Sequence, residues 1–184
     1  LSRKNTKAGQ LGRVCIGLGL IILALQLIQE ATKPIVSAAG TKVLFGSLSG
    51  DPMLDMLIGA LFTLFSWSSL AVVLLTATLA AAHVISVPVA LCLVLGANLG
   101  SGLIGLVATL GTPGSGRRVA LGNLFFKVAG CVVFSLALPF VLQAIAHFDS
   151  DARRQVLHFH VLFNVALACG FLFFTDAIAR LMEK

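Results

Sequence analysis

Between Asp55 and Arg117 the chain contains no Asp, Glu, Lys or Arg, yet the same stretch holds two small polar clusters, Ser66-Trp67-Ser68-Ser69 and Gly96-Ala97-Asn98-Leu99-Gly100-Ser101. A helix needs about 20 apolar residues to cross a hydrocarbon core of about 30 Å. The apolar runs here are long enough, but they are interrupted near their middles. Polar interruptions at membrane depth are tolerated where the backbone is covered by protein or lines a cavity, and such places commonly bind a solute. The stretch therefore predicts a polytopic membrane protein with a buried polar site.

Composition excludes the soluble alternative. The 184 residues are 58% hydrophobic and 11% charged, with a mean hydropathy of +1.03, against about 45–50% apolar and about 25% charged in soluble domains. A core of this size cannot hide so much apolar surface, so lipid must cover much of it. The net charge of +6 comes from short clusters beside apolar runs: Arg3, Lys4, Lys7 and Arg13, then Arg117-Arg118, then Arg153-Arg154. That placement fits loop-orienting charge and not a phosphate-tracking surface, so no nucleic-acid partner is expected. Cys15, Cys92, Cys131 and Cys169 lie singly in apolar segments and read as small buried hydrophobes. The chain begins at Leu1 without a signal-peptide pattern and reads as a piece of something longer.

Apolar segments are expected at about 14–29, closed by Lys33-Pro34, then at 54–65 and 70–84 on either side of the serine cluster. Those last two are too short to cross alone. They form either one long broken span or a re-entrant hairpin over 54–84 with its tip at Ser66 to Ser69. A run over 89–110 is expected to break at Gly96 to Ser101. Thr112-Pro113-Gly114-Ser115-Gly116 reads as a turn, followed by helices over 118–146 and 156–181. Re-entry would leave the N-terminal cations, Arg117-Arg118, Arg180 and Lys184 on the cytoplasmic side, and only Arg153-Arg154, offset by Asp149 and Asp151, outside. The positive-inside tendency favours that reading.

A helix that stops within a bilayer leaves N–H or C=O groups to be satisfied by protein, water or a bound ion. Serine hydroxyls and the Asn98 amide donate and accept, and Gly96 and Gly100 permit close backbone approach. A half-helix N-terminus suits an anion, while carbonyls and hydroxyls suit Na⁺. The plainer alternative is that Ser68, Ser69 and Ser101 only let helices pack closely.

These motifs resemble those of the Na⁺/phosphate cotransporter family, whose repeats carry Gln-Ser-Ser-Ser-Ala-Thr followed by Gly-Ala-Asn-Ile-Gly-Thr. Ser66 to Ala71 stands at the first and Gly96 to Ser101 nearly repeats the second; Arg117 to Leu121 and His160 to Asn164 match the family's Arg-Arg-x-Ala-Leu and His-x-x-Phe-Asn patterns. The resemblance implies two inverted repeats in one polypeptide, each giving a serine-rich hairpin to a shared midplane site, often with a PhoU-like cytoplasmic domain. One motif pair is present, so the chain resembles half of a core, and its closing helix and degenerate serine motif point to the second repeat. What the resemblance implies for the site is inorganic phosphate and Na⁺ bound by Ser66, Ser68, Ser69, Asn98, Gly100 and Ser101, with Na⁺ on Ser68, Ser69, Asn98 and Ser101. Ser66 and Trp67 depart from the family's Gln and Ser, which puts Ser66 most in doubt.

Lys127, about ten residues into its helix, either attracts the anion or snorkels to the interface. His83, His158 and His160 read as helix-end or packing residues. No closely spaced carboxylate pair, Walker sequence or nucleophile–base constellation is present, so no enzyme activity and no cofactor beyond the coupling Na⁺ are expected. The leading expectation is sodium-coupled phosphate uptake or export across the inner membrane. The alternative is a non-transporting scaffold or regulatory subunit that kept the fold; a channel-like pore is disfavoured for want of repeated selectivity residues. Unmatched half-site surfaces call for the other repeat or a second copy, as in a homodimer.

Overall fold

The computed structural model describes residues 6–46, 50–111, 114–174 and 180, and among these there is no strand. The helices are α1 (Lys7–Ser37), α2 (Ala39–Gly46), α3 (Pro52–Ser66), α4 (Ser69–Ala81), α5 (Val87–Ala108), α6 (Gly114–Leu136), α7 (Leu138–Phe148) and α8 (Ala152–Phe171). Four of these segments are long and apolar enough to cross a membrane: Lys7–Ser37, Val87–Ala108, Gly116–Leu136 and Ala152–Phe174. The chain is an all-α, multi-pass membrane protein.

Local chemistry sets the helix starts. Asp51 caps α3 by accepting from Met53 N at 2.9 Å, with Pro52 pre-set for the first turn. Ser68 caps α4 through Ala71 N at 3.2 Å, and Asp151 caps α8 through Arg154 N at 2.9 Å. Trp67 closes α3 in the left-handed region, at φ 53°.

The core is built around α5. Ala90 to Leu95 and Ala97 are buried, enclosed by Val73 and Leu79 of α4 and by Val156, Phe159 and Phe163 of α8. Against α3 the approach is closer than side chains allow. A Cβ on Gly59 would stand 2.2 Å from the Leu93 carbonyl oxygen, and one on Gly96 would stand 2.0 Å from that of Met56. A Cβ on Gly100 would stand 2.7 Å from that of Ala60. Met56 meets Gly96 and, one turn on, Ala60 meets Gly100, so α3 and α5 run in the same direction. The chain must therefore come back through α4, and α3–α4 is a helical hairpin with its tip at Trp67-Ser68.

Several expected boundaries are corrected. The break at Gly96 to Ser101 is absent, since α5 is continuous, and its glycines serve the crossing with α3. The first helix does not stop before Pro34 but runs through it to Ser37, where the Ser37 hydroxyl donates to the Pro34 carbonyl at 3.0 Å. The connection after it contains α2. The helix expected over 118–146 is divided at Ala137 by Pro139, and Gly114 to Gly116 belong to α6 and not to a turn. Thr112-Pro113, Arg3, Lys4 and Lys184 lie outside the described residues, as does most of the chain beyond Phe174.

Candidate functional site

The two polar clusters fold into different kinds of structure. At the hairpin tip, the Ser66 hydroxyl donates to the Ser68 carbonyl at 3.2 Å and accepts from Ser68 N at 3.4 Å, while the Ser68 hydroxyl is spent on Ala71 N. Ser66 and Trp67 are exposed, and Ser68 and Ser69 are half-buried. Among the described residues, the N–H groups of Ser69 and Leu70 have no acceptor, which leaves the positive end of α4 open to an anion.

In α5 the second cluster turns inward on its own helix. Asn98, 1% exposed, donates from Nδ2 to the Val94 carbonyl at 2.9 Å, and the Ser101 hydroxyl donates to the Asn98 carbonyl at 2.8 Å. Gly100 is occupied by its contact with Ala60 and Thr63 of α3. Ser101 and Gly102 face α6: the Lys127 ammonium donates to the Ser101 hydroxyl, and a Cβ on Gly102 would stand 3.3 Å from Lys127 Cδ.

Lys127 also lines a cavity of about 320 Å³ between α6 and α8, with Asn123, Phe126, Asn164, Leu167 and Phe171. Asn164 Nδ2 donates to the His160 carbonyl at 2.8 Å. Among the described residues no carboxylate pairs with Lys127. An ammonium on an apolar helix that meets a hydroxyl, shares a cavity with two amides and has no counter-charge among the described residues is suited to receive an oxyanion.

The structure thus joins Ser101 to Lys127 directly and brings Gly100 against the hairpin, but among the described residues no hydrogen bond links Ser66, Ser68 or Ser69 to Asn98, Ser101 or Lys127. The register of α3 on α5, with Met56 at Gly96 and Ala60 at Gly100, carries the tip past Ser101 to the level of the last turn of α5. Sequence reasoning did not single out Asn123, although it stands four residues before Lys127 on the same helical face, a spacing that could have found it. It also passed over Thr63 and Asp55, both fully buried with side-chain oxygens that have no hydrogen-bond partner among the described residues.

Comparison with known proteins agrees with the membrane architecture. A family model described as Na⁺/Pi-cotransporter matches residues 32–178. The chain is 51% identical over 183 residues to a protein named "Putative inorganic phosphate export protein YjbB" in Escherichia coli K12, covering 98% of this chain and 33% of that protein. The protein of the same name in Salmonella typhimurium is 51% identical over 187 residues, covering 100% of this chain and 34% of its own length. "Uncharacterized protein YqeW" of Bacillus subtilis is 27% identical over 178 residues, covering 95% of this chain and 57% of that protein. This chain spans about a third of the length of the YjbB relatives. No solved structure matches.

Proposed function

The chain belongs to the Na⁺/Pi-cotransporter family, and from that membership we propose that it forms half of a phosphate-translocating core in the inner membrane, coupled to Na⁺ and completed by a second, inverted repeat. The observation that carries the reading is Lys127: its ammonium meets the Ser101 hydroxyl and opens on the cavity it shares with Asn123 and Asn164. Phosphate would be drawn by Lys127 and held by charge-assisted hydrogen bonds from it and from the two amides. The open N–H groups of Ser69 and Leu70 would contribute when the hairpin moves toward the site, and Na⁺ would use hydroxyl and carbonyl oxygens at Ser68, Ser69 and Asn98, and at Ser101 once phosphate draws the Lys127 ammonium away from its hydroxyl. Export is the direction that the names of the YjbB relatives favour.

Full-length protein reconstituted in liposomes with a Na⁺ gradient tests this. Labelled phosphate should move in a Na⁺-dependent way, and Lys127→Met should lower the flux at least about tenfold, the loss expected when a charge-assisted contact of about 1.5–3 kcal/mol is removed. Phosphate flux that ignores Na⁺ would remove the coupling, and no phosphate flux at all would favour the scaffold reading.

A further inference from the structure

Asp55 stands at the fourth position of α3, ahead of the charge-free stretch, and its side chain points into the packed interface with α5. It is 0% exposed, and among the described residues neither carboxyl oxygen has a hydrogen-bond partner. The titratable groups facing it are Cys92 from α5 and Asp51 at the head of its own helix; both are neutral or anionic. Among the described residues no cation faces it. The neighbouring contact is too close to hold a hydrated ion, since a Cβ on Gly96 would already stand 2.0 Å from the Met56 carbonyl oxygen.

An isolated buried carboxylate costs far more than a buried carboxylic acid, and a group in that position neutralises by taking up a proton. We propose that Asp55 is a proton-binding site, protonated while the α3–α4 hairpin is seated on α5 and deprotonated when the hairpin lifts away. The released proton goes to water at the head of α3, where exposed Asp51 stands one turn, or about 6 Å, away. The hairpin movement rests on the transport reading above; the protonation state does not. A proton then becomes a ligand of the seated state, so alkaline conditions at the head of α3 favour hairpin release.

The test uses full-length protein in bilayers. Infrared spectra of wild type grown with carboxyl-labelled aspartate should show the carbonyl stretch of a protonated aspartic acid at neutral pH. That band should vanish in Asp55→Asn, or in Asp55→Ala should the amide variant fail to assemble. No protonated aspartate band in wild type, or a band that survives both substitutions, overturns the proposal.

Cys92, 2% exposed at the same interface, reports hairpin release through its rate of thiol labelling, mapped by mass spectrometry. Thiolate formation alone gives about one decade of rate per pH unit, and a second released proton makes it about two. Wild type should show the steeper dependence and Asp55→Asn the shallower; equal slopes overturn the link between proton and hairpin. Neither reading requires phosphate flux, so failure here is distinct from failure of the transport assignment.

Discussion

The glycines of this chain divide sharply by what a methyl group would meet. Gly96→Ala would drive Cβ to within 2.0 Å of a backbone oxygen on α3, whereas Gly105→Ala would meet nothing within 4 Å. Overpacking a tight contact costs about 1–3 kcal/mol or more, and relieving a mid-helix glycine gains about 0.5–1 kcal/mol. Unfolding of the full-length protein in mild detergent should therefore show Gly96→Ala destabilised by about 3 kcal/mol and Gly105→Ala unchanged or slightly stabilised. This distinction was illegible in the sequence, because a helix break and a close helix crossing both ask for a residue without Cβ. Asn98 spends part of its amide on its own helix, Nδ2 donating to the Val94 carbonyl, a use that the residue type alone does not announce. Lys127 was legible as an anomaly, but the hydroxyl and amides around it arise from packing across α5, α6 and α8.

At the level of elements, the hairpin tip rests on two residues with opposite effects. Ser68 supplies the cap of α4, and Ser68→Ala should cost about 1 kcal/mol of stability. Trp67 sits at φ 53° and is 60% exposed. Trp67→Gly should therefore relieve about 1 kcal/mol of left-handed strain while losing little burial. Chemical unfolding of both variants would check the signs. The α7–α8 connection is organised by Asp149. The Asp151 N–H donates to it at 2.9 Å and Arg154 Nε lies 2.8 Å away, which together hold its carboxyl below the ordinary 3.8. A depressed carboxyl stabilises the fold above its unfolded value and loses that contribution as pH falls through its folded one. Stability measured from neutral pH downward should fall below pH 3.8 in wild type, and Asp149→Asn should flatten that part of the curve. The ends of α3 and α4 were readable from their proline and serine signals. The division at Ala137 follows from Pro139, itself a local signal, whereas the run through Pro34 and the presence of α2 carry no such signal.

For the molecule as a whole, the sequence made the membrane class plain through its charge-free length, and the family through its ordered motifs; the direction of α3 relative to α5 required the structure. Leu11, Val14, Ile16 and Leu18 of α1 are all exposed, while its buried residues, Thr32 and Val36, lie at the other end. Most of α1 is thus left for lipid or for the second repeat proposed above. On the proposed reading Lys127 receives phosphate at a site shared between two repeats. It is tested most directly by Na⁺-driven uptake of labelled phosphate into liposomes containing the full-length protein, wild type beside Lys127→Met at matched insertion and stability. Wild type should carry flux and the variant at least about tenfold less; equal flux in the two would overturn the role of Lys127.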